Sequence, residues 1–165
     1  MNLSPHFTLD EATNSDTATR LGIDNTPNAM QIKNAVIAAQ GMEQVRFELE
    51  HAISINSWIR GEKLEKVLTL KDYTAWCKRR SMGVNFSSWN LYFKHKAHPN
   101  GYAVDFTCKA FGTPAQIVAK LRESKIKYDQ LICEGSWVHI SFDPQCRMQC
   151  LNATFVNGVP TYAEV

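Results

Sequence analysis

With 165 residues, 44% of them hydrophobic and 21% charged, the chain has the size and balance of one globular domain with a real core, which excludes wholesale disorder. A net charge of +2 is too small to imply a nucleic-acid partner. No apolar run approaches the ~18 residues that a membrane span needs, so neither nucleic acid nor membrane insertion is expected.

The N-terminus, "MNLSPHFTLDEATNS", has neither a basic n-region nor an apolar h-region, so no secretory signal is read there. Its five cysteines form no Cys-x-x-Cys pair, which fits reduced packing thiols in a reducing cytoplasm. Thr8 and Glu11 match a capping box, so a short helix is expected from Leu9. Thr26 as N-cap and Pro27 at the first helical position introduce a long amphipathic helix that places Ile32, Val36, Ala39, Met42, Val45 and Leu49 along one face. "HAISIN" alternates as a strand ending near Ser57.

Residues 61–96 are the least regular. They hold eight basic side chains against three acids, so the basic surface is local. "TLKDYTAWCKRR" fits a helix capped by Thr69, and "VNFSSWNLYF" fits a strand or a packed loop. Further on, "YAVDF" reads as a strand and "GTPAQIVAKLRES" as a helix with Thr113 as N-cap and Pro114 at N1. "DQLIC", "WVHISF" and "MQCLNATFV" read as strands, with Asn157-Gly158 as a tight hairpin turn. Two or three helices followed by mainly antiparallel strands predict a single α+β domain over residues 1–165, with an antiparallel sheet and helices packed on one side.

Two strands carry polar residues that the core does not need. In "WVHISF", Val138, Ile140 and Phe142 share one face, so Trp137, His139 and Ser141 point to the other. In "YAVDF", Val104 and Phe106 take the apolar side and Asp105 points away. If both strands lie in one sheet, Asp105 and His139 share a face, and the Asn100-Gly101 turn folds His98 back towards it. Two imidazoles and a carboxylate with one position left open are the ligand set of a catalytic zinc site. Glu134, in the turn before His139, is placed to act as a base on water activated by such a metal. The pattern alone leaves a second reading open, in which each His is an ordinary surface or core residue and Asp105 pairs with a lysine.

"HPNGYAVDF" followed by "EGSWVH" resembles the His-x-x-Gly-x-Ala-x-Asp and Glu…Trp-x-His signatures of the zinc D-Ala-D-Ala carboxypeptidase and L-alanyl-D-glutamate endopeptidase family. That family includes many bacteriophage endolysins and has the Hedgehog/DD-peptidase fold. "LSPHFTLDEATNSDTATRLGIDNTP" is similar to the N-terminal segment of a phage-rich branch, "ISINSWIR" to its Ser-Gly-Tyr-Arg strand end, and "YDQLICEGSWVHISF" to its "FDQLI" strand. The resemblance covers most of the chain outside residues 65–95, which form an insertion longer than the family's connection. The chain departs from the family at Lys96, where Ser is usual, and at Trp58, where Gly is usual.

The resemblance implies that His98, Asp105 and His139 bind Zn2+, that Glu134 is the general base, and that Arg60 contacts the substrate carboxylate or the developing oxyanion. It implies a peptidoglycan peptidase acting on stem peptides, with a phage endolysin foremost, and we expect a monomer. With no secretory signal read, such an enzyme would accumulate in the host cytoplasm and act on the cell wall at lysis, or travel with the virion. A D-Ala-D-Ala carboxypeptidase and a non-catalytic wall-binding or virion domain of the same fold are the alternatives. Within the inserted segment, a basic wall or lid over an anionic stem peptide competes with a merely solvated face. Trp76, Trp89, Tyr92 and Phe93 are expected to pack rather than to bind, and His98 rather than His95 is the expected ligand. Cys146 and Cys150 are expected to share a strand face without forming a disulfide.

Overall fold

Six strands make one sheet in the computed structural model, which describes all 165 residues. They are β1 (Ser54–Ser57), β2 (Ala103–Thr107), β3 (Gln130–Cys133), β4 (Val138–Ser141), β5 (Gln149–Val156) and β6 (Val159–Glu164), ordered β1-β2-β4-β3-β5-β6. The architecture is α+β, as the sequence predicts. The sheet is not wholly antiparallel, however, because β3 and β5 run parallel. The chain leaves β4, passes over β3 and enters β5 from the same end. That crossover is pinned by Asp129, whose carboxylate accepts from Arg147 Nε at 2.8 Å and Nη2 at 2.5 Å. Cys146 falls in this crossover, exposed and with φ 47°, so it shares no strand face with Cys150.

Six helices accompany the sheet: α1 (Leu9–Thr13), α2 (Asp16–Leu21), α3 (Ala29–Leu49), α4 (Glu62–Arg79), α5 (Phe86–Lys94) and α6 (Pro114–Arg122). Both Thr8–Glu11 and Thr113–Gln116 form capping boxes. The start of α3 differs from expectation. Its cap is Asn28, closed by Gln31 in a capping box, and Thr26 instead donates its backbone N–H to Asp24. An Asn with a Gln three residues on satisfies two orphan N–H groups, which Thr26-Pro27 could not do.

The main core lies between α1, α3 and α6 and one face of the sheet, where Val104, Phe106, Leu131, Val138 and Ile140 meet Ala35, Ala38, Met42, Val45, Ile117 and Leu121. Small side chains on α3 let it lie close to the sheet. Gly41 takes this furthest, since a Cβ there would sit 2.2 Å from the Phe142 ring.

Residues 62–94 form two helices rather than the expected Thr69-capped helix and following strand or loop. α4 begins seven residues before Thr69, after Gly61, and the Thr69 hydroxyl simply bonds back to the Glu65 carbonyl. α5 is capped by Asn85 and Ser88. Tyr73, Cys77, Trp89 and Tyr92 bury one another in a small core of their own, so the aromatic residues do pack, with each other. α4 approaches β6 and with α5 lines a cleft over the sheet face that α3 and α6 leave bare, so helices flank both faces and not the one side expected. No helix is long and apolar enough to cross a membrane.

Candidate metal centre

Asp105 on β2 and His139 on β4 are direct partners in the ladder, which the alternation of "YAVDF" and "WVHISF" anticipates. His98 comes from the turn before β2. The ligand atoms of these three buried residues all lie within 4.8 Å of one another. His139 Nδ1 is 2.9 Å and His98 Nε2 is 3.1 Å from the same oxygen, Asp105 Oδ1. His95 is not part of the cluster.

The turn that carries His98 is clamped from three sides. Gln31 Nε2 donates to the Pro99 carbonyl and Asn34 Nδ2 to the Asn100 carbonyl, both at 2.8 Å. Trp58 Nε1 donates to the Gly101 carbonyl at 3.1 Å. Gly101 has φ +82°, and a Cβ there would lie 2.6 Å from the Gln31 carbonyl oxygen. The lack of a Cβ at Gly101 therefore permits the close approach to α3. Gln31, Asn34 and Trp58 are site-supporting residues that sequence reasoning missed. The signal was present in Gln31 and Asn34, two amides on the otherwise apolar face of α3.

The histidine tautomer follows from the same contacts. Trp58's carbonyl can only accept, and His98 Nδ1 lies 2.6 Å from it, so Nδ1 carries the proton. Burial, assisted by the Arg60 charge, pushes the His98 pKa down against the pull of Asp105. Nε2 faces Asp105 Oδ1, an acceptor, at 3.1 Å, so a proton on Nε2 or a metal ion must join the two. Burial alone would raise the Asp105 carboxyl, but the His98 imidazole and the Arg60 guanidinium outweigh it and hold the group well below the usual carboxylate range. His98, Asp105 and His139 could therefore hold a metal ion, each offering an ionised or neutral donor.

Arg60 supports the carboxylate from behind. Its Nη2 donates to Asp105 Oδ2 at 2.5 Å and its Nε to Ser57 Oγ at 2.9 Å. Nη1 has a longer link, 3.5 Å, to Glu65. Arg60 thus lines the site while most of its donors are engaged within the protein.

Glu134 opens the turn between β3 and β4, where Gly135 takes φ +76° and the Glu134 N–H bonds to the Trp137 carbonyl at 2.9 Å. Burial raises the Glu134 carboxyl above its ordinary value, the Asp105 charge adds to this, and no protein group donates a hydrogen bond to it. Glu134, Arg60 and the three clustered residues all line one cleft of about 1000 Å³, whose far wall is α4, α5 and the β5–β6 hairpin. A smaller pocket beneath His6 and Phe47 lies elsewhere and holds no such cluster. Compared with known proteins, the chain matches no family model, no curated protein and no solved structure.

Proposed function

We propose that this chain is a zinc-dependent metallopeptidase that cuts peptide bonds in the stem peptides of bacterial peptidoglycan, made by a bacteriophage to lyse its host. The observation that carries this reading is the convergence of His98, Asp105 and His139 beside an unpartnered Glu134 in one open cleft. Two imidazoles and a carboxylate suit zinc and leave coordination free for substrate and water. The likeness of the three motifs to the D-Ala-D-Ala carboxypeptidase and endopeptidase family supports the choice of substrate, and that of the N-terminal segment supports the phage origin.

His98, Asp105 and His139 would hold the zinc ion, which would supply a Lewis acid and lower the pKa of water so that it can be deprotonated near neutral pH. The remaining chemistry falls to the protein. Glu134 takes the proton of the attacking water and returns it to the leaving amine. Its raised pKa suits that second role, because a carboxyl that holds its proton more firmly survives longer as an acid. The Trp58 carbonyl keeps the His98 proton on Nδ1, and Arg60 keeps Asp105 Oδ2 turned away from the imidazoles. For contact with a substrate carboxylate or oxyanion, Arg60 has Nη1, its least firmly engaged donor.

The test is metal content by elemental analysis on the wild type and His139→Ala, paired with turbidity clearing of outer-membrane-stripped bacteria. About one zinc per chain, lost in the variant together with clearing, supports the proposal. A protein that binds sacculi without releasing peptide, whether or not chelator is present, is a wall-binding domain instead. Product analysis on defined stem peptides then separates an endopeptidase from a D-Ala-D-Ala carboxypeptidase.

A further inference from the structure

Glu65 has no part in this scheme, and its position is unusual for an acid. It belongs to the first turn of α4, and its side chain is only 2% exposed. A carboxylate is almost never buried that deeply unless it is paired. Its partner is Arg60 Nη1 at 3.5 Å. The same guanidinium reaches Asp105 Oδ2 at 2.5 Å, and Asp105 Oδ1 faces both imidazoles. An unbroken line of charged contacts therefore runs from α4, in the inserted segment, to the ligand cluster.

We propose that Glu65 is a positioning residue of the metal centre, acting through Arg60 to set how much of the Asp105 negative charge remains for a bound divalent cation. This rests on the metal-centre reading above. Arg60 alone would be a poor neighbour for such an ion. It places a positive charge beside the cation's position and competes for the same carboxylate. A second carboxylate on the far side of the guanidinium divides its hydrogen bonding and cancels its charge. Arg60 then orients Asp105 Oδ2 without leaving the cluster with an excess of positive charge. The inserted segment is on this account wired to the metal centre through a buried ion pair, so metal occupancy and the packing of the start of α4 stabilise each other.

The experiment is zinc affinity, measured by competition with a chromophoric chelator on the full chain, for wild type, Glu65→Gln, Arg60→Gln and the double variant. Glu65→Gln is expected to weaken zinc binding about tenfold, the lower end for outer-shell partners. In the Arg60→Gln background the same change is expected to alter affinity by less than about threefold, because no guanidinium charge is left to release. Equal losses in both backgrounds, or none in either, overturn the proposal and reduce Glu65 to a structural residue of α4. Glu65→Gln that is fully loaded with zinc yet inactive also overturns it, since Glu65 would then touch the reaction itself. A wild type that takes up no zinc is a different result, which removes the metal-centre reading together with this one. Should Glu65→Gln fail to fold, hydrogen exchange on the wild type decides: zinc should slow exchange of the α4 amides over residues 62–69, and identical exchange with and without zinc overturns the proposal.

Discussion

Asp105 divides its two oxygens between opposite neighbours: Oδ1 faces His139, its ladder partner on β4, while Oδ2 is held by Arg60. The division fixes the carboxylate plane, so the oxygen shared with the imidazoles cannot rotate away. It also makes Asp105 the residue on which the whole cluster depends.

Asp105→Ala is therefore expected to abolish metal binding and, in metal-free protein, to cost about 3–5 kcal/mol, the usual result of stranding the buried partner of an ion pair. Urea denaturation of both proteins in chelator measures it. The pH dependence has a definite sign. The folded-state pKa of Asp105 is lowered, so its contribution is fully present above the unfolded value of about 3.9 and is lost as pH falls through the lower folded value. Wild type and variant should converge in stability on the acid side. A gap that persists undiminished below that range would show that the stabilisation is not ionic.

Glu134→Gln is expected to keep its metal and lose about 10²–10⁴-fold in kcat, the range for a general acid–base group. On the proposed mechanism Glu134 must be deprotonated to act; in the metal-free protein burial, with the Asp105 charge, raises its pKa. Activity should therefore fall as pH drops through the Glu134 pKa. That acid limb should be missing from whatever activity the glutamine variant retains. A variant with near-normal turnover would assign the proton transfer to another group.

Gly101 and Gly135 have similar backbones, with φ +82° and +76°, and different surroundings. A Cβ at Gly135 meets nothing within 4 Å, whereas at Gly101 it strikes the Gln31 carbonyl. Gly135→Ala should cost only the strain of the left-handed conformation, about 1–2 kcal/mol. Gly101→Ala should cost clearly more, about 3 kcal/mol or above, and should weaken metal binding as the turn carrying His98 is pushed off α3. Chemical denaturation of the pair checks the first statement and chelator competition the second.

Alternation alone is enough to place Asp105 and His139 on one face, because a two-residue period is a local property of the chain. The fate of His98 was legible for a similar reason, since Pro-Asn-Gly allows little except a turn. The parallel pairing of β3 with β5 was not legible: alternation says which residues share a face and nothing about which strand lies beside which. The inserted segment was misread for another reason. α4 buries few residues, chiefly Leu64, Glu65, Tyr73 and Cys77, and leaves Val67, Leu68 and Leu70 exposed, so no helical stripe stands out. α5 is rich in aromatic residues of high strand propensity, and packing against Tyr73 and Cys77 overrides that preference. The Arg60–Asp105 contact joins residues far apart in sequence, which no local pattern records.

The basic residues of the inserted segment are divided between the cleft and the outer surface. Lys71, Arg79, Arg80 and Lys96 line the cleft, while Lys63, Lys66, Lys78 and Lys94 do not. Lys96 is occupied by Asp72 at 3.2 Å and by the Tyr92 ring at 4.2 Å. Arg80 lies over the Trp76 ring at 4.5 Å, a contact that leaves the guanidinium edge free for an anion. The ion pairs of the cleft involve Arg60, Lys96 and Arg147, so Lys71, Arg79 and Arg80 carry no acidic partner. Any attraction for an anionic stem peptide should accordingly be concentrated at these three positions, two of them the adjacent arginines, rather than spread over the segment. Arg79→Glu with Arg80→Glu is expected to raise KM on stem peptides with free carboxylates roughly three- to tenfold at low salt, with metal content unchanged. The effect should shrink at an ionic strength near 1 M, where the Debye length is about 3 Å. An unchanged KM at low salt would mean that the segment's charge faces solvent and that α4 serves the site through Glu65 and its packing alone.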